Sequence, residues 1–134
     1  MNLVTQSSPR FVLTSGDRQK VILDPITLPS GRTLADFATF ELTFRADPDW
    51  PRTTQELKEA AKSADPVGDG WAVVGSVVSG TVVSSTLEFI VPSSQGLSAG
   101  EDRYAADVRG IGGTAGPAHI LQSTWVTVRA SVGS

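Results

Sequence analysis

His119 is the only histidine in the chain and there is no cysteine, so the chemistry open to these residues is narrow from the outset. A serine nucleophile needs a base within reach, and His119 sits between a glycine-rich segment and a strand-like run, where an exposed or hydrogen-bonded strand-start histidine is the simpler reading. A glycosidase needs two carboxylates across a cleft, whereas Asp47, Asp49, Asp65, Asp69, Glu101 and Asp102 all fall in segments that read as turns or loops and are expected to be solvated. Asp65 and Asp69 lack the alternating acidic ligands and closing glutamate of a calcium loop. Gly110-Ile111-Gly112-Gly113 precedes a strand rather than a helix, and no Lys-Ser or Lys-Thr follows it to hold a phosphate. The expectation is a protein that is not an enzyme, with no catalytic residue, no cofactor and no metal.

The three tryptophans are the residues left to explain. Trp125 is out of phase with Val126 and Val128, so on a regular strand it faces outward, where either a partner covers it or a strand bulge turns it inward. Ile90 is likewise opposite in phase to Leu87, Phe89 and Val91. Trp50, between turn residues, is expected to pack over a sheet edge or a short helix rather than stack on a sugar. Trp125, Ile90, Leu57 and Trp50 are therefore the candidate interface residues. If they join in one patch, a partner buries it; the competing reading is that Trp125 and the helix cover each other within one chain.

The elements that would position these residues are mostly strands. Phe40, Leu42 and Phe44 alternate with Thr39, Glu41, Thr43 and Arg45, a strand with one buried face. Tyr104, Ala106 and Val108 repeat the pattern, as do Leu87, Phe89 and Val91, and a last strand over 119–130 buries Val126 and Val128. Phe11 to Leu13, a turn at Ser15-Gly16-Asp17 and Lys20 to Leu23 read as a hairpin-like opening. Residues 71–78 and 81–91 read as consecutive strands separated by Ser79-Gly80. Thr53 and Glu56 have capping-box spacing ahead of good helix formers, which predicts a short helix over about Thr54 to Ser63.

With 134 residues there is room for one core: a flexible lead over 1–9, then a single domain over 10–134. Six to seven strands at these spacings predict an all-β, antiparallel β-sandwich with one short helical insert. The 40% apolar and 19% charged composition excludes a disordered chain. No run approaches the roughly 20 apolar residues that span a bilayer, so no membrane insertion is expected, and Met1 to Gln6 lacks the order of a secretory signal. The net charge of −3, with basic residues scattered, disfavours nucleic acid.

The order of motifs resembles the small immunoglobulin-like module of phage baseplate upper proteins and related tail and fibre proteins. The likeness runs from Phe11 to Val132. It rests on the opening strand with Gly16-Asp17, on Leu34-Ala35-Asp36-Phe37 leading to Phe40-Glu41-Leu42-Thr43-Phe44-Arg45-Ala46-Asp47-Pro48, on Leu97-Ser98-Ala99-Gly100 before Tyr104-Ala105-Ala106-Asp107, and on Trp125-Val126-Thr127-Val128. The insert from Trp50 to Asp69 and the extra Glu101-Asp102 depart from the pattern. The resemblance implies a virion structural protein, made in the bacterial host cytoplasm: an assembly or connector piece of a tail, baseplate, fibre or capsid decoration. Its implied partners are other virion proteins and further copies of itself, with three-fold symmetry preferred. The alternative class is a carbohydrate-binding sandwich or a bacterial surface adhesin-like domain.

Overall fold

The computed structural model describes residues 2–5, 10–23, 28, 30–51, 70–116 and 118–130. The expected helix over Thr54 to Ser63, with Leu57, and the loop carboxylates Asp65 and Asp69 lie outside the described residues.

The protein is all-β. Eight strands form it: β1 (Asn2–Thr5), β2 (Arg10–Thr14), β3 (Gln19–Leu23), β4 (Thr39–Ala46), β5 (Val73–Val83), β6 (Thr86–Val91), β7 (Gly100–Ile111) and β8 (His119–Arg129). They pair in the order β1-β3-β6-β5-β4-β7-β8-β2, and the two outermost strands, β1 and β2, approach each other so that the sheet nearly closes. Pairing is antiparallel except at the two ends, where β1 lies parallel to β3 and β2 parallel to β8. The sheet is therefore mixed, and the purely antiparallel expectation is corrected at its edges.

One-sided strands explain the core. Of the side chains expected inside, Phe40, Leu42, Phe44, Leu87, Phe89, Tyr104, Val108, Val126 and Val128 are buried, and Phe11, Leu13, Val21 and Leu23 join them from β2 and β3. Alternation fixes which face turns inward because a one-residue slip would expose the whole apolar set.

Three local readings change. β2 and β3 do not form a hairpin: the turn at Ser15 and Gly16 carries the chain from pairing with β8 to pairing with β6. Gln19 fixes that crossing, its Oε1 accepting from Thr14 N–H at 2.7 Å and its Nε2 donating to Thr14 C=O at 2.9 Å. Asn2–Thr5, expected within a flexible lead, adds to the open edge of β3, a pairing that backbone groups make without any side-chain period.

The third change is at Ser79-Gly80, which interrupts nothing. β5 runs through it, pairing with β4 as far as Ser79 and with β6 from Gly80, so this strand is the corner of the sheet. A Cβ on Gly80 would lie 2.6 Å from the Phe89 ring and 3.1 Å from Phe40 Cβ, which is why the corner needs glycine. The chain reverses four residues later instead, where Ser84 adopts a left-handed φ of 56°. That conformation costs a side chain about 1 kcal/mol or more, so Ser84→Gly is expected to stabilise the fold by up to about 1 kcal/mol, read as a higher urea midpoint at unchanged slope.

Candidate functional site

The outer face of β4, β7 and β8 carries the polar side chains that alternate with the core. Cross-strand register places Thr43 beside Asp107 and Ser123, and Arg45 beside Ala105 and Trp125. Asp107 is fully buried. Arg45 Nε donates to its Oδ2 at 2.9 Å and Ser123 Oγ donates to its Oδ1 at 3.1 Å. Arg45 Nη1 also donates to the Trp71 carbonyl at 2.9 Å. Trp71 is thereby held where its ring meets Trp125 edge-on, with centroids 5.4 Å apart, and the two rings bury Ala105 in a cluster separate from the main core. This arrangement is a brace.

Trp125 does face outward, as its phase predicts, but it is only 7% exposed because Trp71 of the same chain covers it. The cover is a tryptophan 54 residues away, which no local pattern could announce. Ile90 is exposed at 40% and lies opposite Lys20, whose Nζ pairs with Glu88 at 3.2 Å. Trp50 is half-buried, with its Nε1 donating to the Glu101 carbonyl at 2.8 Å and the Arg103 guanidinium 4.4 Å from the ring centroid. The described members of the expected patch, Trp125, Ile90 and Trp50, thus have separate surroundings. Among the described residues, the exposed large apolar side chains are Val73, Val77, Val82, Val83, Ile90 and Ile120.

The carboxylates are less solvated than expected. Asp47 and Asp102 are buried, and Glu101 and Asp102 belong to β7 rather than to a loop. Asp47 Oδ1 accepts from the Asp49 N–H at 2.9 Å, a local turn bond. Among the described residues no group of three or more histidine and carboxylate side chains is placed to hold a metal ion. No helix among them is long and apolar enough to cross a membrane.

Gly96-Leu97-Ser98-Ala99-Gly100 has the Gly-x-Ser-x-Gly spacing of a hydrolase nucleophile elbow. That elbow joins a strand to a helix, whereas this segment joins the 3-10 turn Ser93–Gln95 to β7. His119 pairs with Gly110, about 20 Å of strand rise beyond Tyr104, whose phenol oxygen accepts from Ser98 N–H, and the His119 ring packs edge-on against Phe37 at 6.0 Å. Comparison with protein-family models, curated proteins and solved structures gives no match to this chain.

At the same end as His119, Asp36 ties two loops together. Its Oδ2 accepts from Thr33 N–H at 2.8 Å and its Oδ1 from Thr114 Oγ1 at 3.1 Å, while Arg32 Nη1 donates to the Thr114 carbonyl at 3.2 Å. The Thr33 backbone bond first, and then the Thr114 hydroxyl, hold the Asp36 carboxyl below its ordinary value of 3.8. A carboxyl with a depressed folded value supports the fold above its unfolded value, and that support is lost as pH falls through the folded one. The link is therefore expected to be intact at neutral pH and to loosen only below about pH 4. The Thr33 and Thr114 NMR signals should titrate there, and Asp36→Asn should abolish that titration.

Proposed function

We propose that this chain is an immunoglobulin-like sandwich serving as a structural module of a phage virion, an assembly or connector piece of a tail, baseplate, fibre or capsid decoration. The observation that carries the reading is at Tyr104, where the regular pairing of β7 with β4 begins. Ser98 N–H, six residues upstream, donates to the buried Tyr104 phenol oxygen at 2.9 Å. A tyrosine near the start of strand F, bonded back to the connection before it, marks the tyrosine corner of immunoglobulin-like sandwiches, and Tyr104 of β7 has that arrangement. The strand order agrees: β3, β6 and the second half of β5 take the places of strands B, E and D, and the first half of β5 with β4, β7 and β8 those of C′, C, F and G. The antibody-type disulfide and strand-C tryptophan are absent, and Phe40, Leu42 and Phe44 fill the inner face of β4 instead.

The phage assignment itself comes from the sequence resemblance, whose segment Leu97 to Gly100 before Tyr104 is the one that builds this corner. The carbohydrate-binding alternative loses its platform among the described residues, since Trp71 and Trp125 cover each other and Arg103 lies over Trp50. The module associates with other virion proteins and with copies of itself, preferably as a trimer. Sedimentation of the purified chain at micromolar concentration tests the self-association: a species of three chains is expected, and a strictly monomeric mass contradicts it.

A further inference from the structure

The start of β5 is fixed at two points and loosely held between them. Trp71 is buried against Trp125, and Val78 is buried opposite Leu42. Between these anchors Val73, Gly75, Ser76 and Val77 are exposed, with Val73 at 50% and Val77 at 48%, and Val74 is only half-buried. Val74 packs against the main core, and the rest of this stretch adds little burial to hold it down. Backbone pairing with β4 is also interrupted: Val73 pairs with Arg45 and Val74 with Phe44, after which the register shifts and Gly75 to Val77 stand against Thr43 alone. A bulge of this size leaves peptide groups outside the ladder.

Gln95 supplies what the ladder does not. Its Nε2 donates to the Val74 carbonyl at 3.1 Å and to the Ser76 carbonyl at 2.8 Å, bridging the bulge. The side chain is 2% exposed, and its Oε1 is buried with no hydrogen-bond partner among the described residues. Gly75 has a left-handed φ of 71°, and a Cβ there would collide with the Gln95 carbonyl oxygen, so the bulge and the 3-10 turn carrying Gln95 are shaped to each other.

We propose that residues 73–77 form a strap latched by Gln95, which lifts from β4 as a unit while Trp71 and Val78 remain seated. Lifting leaves the β4 backbone over Thr43 to Arg45 unpaired on that side. Hydrogen exchange followed by NMR tests this on the whole chain and on Gln95→Met, which keeps an unbranched side chain of similar length without the donor. In the parent, the amides of 73–77 should exchange faster than those of β7, and the Gln95 carboxamide protons should exchange slowly. In Gln95→Met, exchange over 73–77 should rise about 10- to 100-fold, with β7 and β8 unchanged. No acceleration, or an acceleration shared equally by β7 and β8, overturns the proposal. Should Gln95→Met fail to fold, the parent decides: protection over 73–77 equal to that of β7, or freely exchanging Gln95 carboxamide protons, overturns it.

Discussion

Phe44→Ala is expected to cost about 3–5 kcal/mol, a loss comparable to the whole stability of many small domains. The ring is completely buried on the inner face of β4, the strand that pairs with β5 on one side and β7 on the other. Removing it takes a large apolar group out of the core and leaves a cavity that strands on both sides hold open, because neither neighbour can move inward without breaking its own ladder. Urea denaturation checks the value. A loss below about 1 kcal/mol would mean that this face of β4 does not carry the core.

Arg45→Met is expected to cost about 3–5 kcal/mol for a different reason. Asp107 is fully buried, and Arg45 is its charge partner at 2.9 Å, leaving among the described residues the Ser123 hydroxyl when the guanidinium is removed. A buried carboxylate without its counter-ion has lost both water and compensation. The same change releases the Trp71 carbonyl from Arg45 Nη1, so Trp125 should become more accessible to fluorescence quenchers. The double variant Arg45→Met, Asp107→Leu removes both charges together and is expected to recover most of the loss, since an apolar pair can replace a buried ion pair at little cost. Equal losses in the single and double variants would show that the pairing of charges is not what holds this face.

Strands whose apolar residues recur at every second position were legible because a period of two decides which face is buried, as for Phe40, Leu42 and Phe44 of β4 and Leu87, Phe89 and Val91 of β6. β5 was not, because only Val78 of its eleven residues is buried and no face gives a signal. Ser79-Gly80 therefore read as a turn when it is the corner where one strand changes partners. The parallel edges were invisible for a related reason: β1 and β2 are placed by backbone bonds to strands far along the chain. Asp107 and Arg45 each read as outward-facing polar residues. Their pairing depends on the register of β4 against β7, which brings together residues 62 apart. Gln95 sits in a serine- and glycine-containing connection, and nothing local marks it as the residue that bridges a bulge twenty positions earlier.

The proposal that this chain is a part of a phage particle is tested most directly by mass spectrometry of purified particles released from the source strain. The chain is expected among the structural proteins, in a fixed ratio to other tail or baseplate components and retained through washing. Its presence only in the soluble lysate, with particles complete and the chain absent from them, would contradict the account.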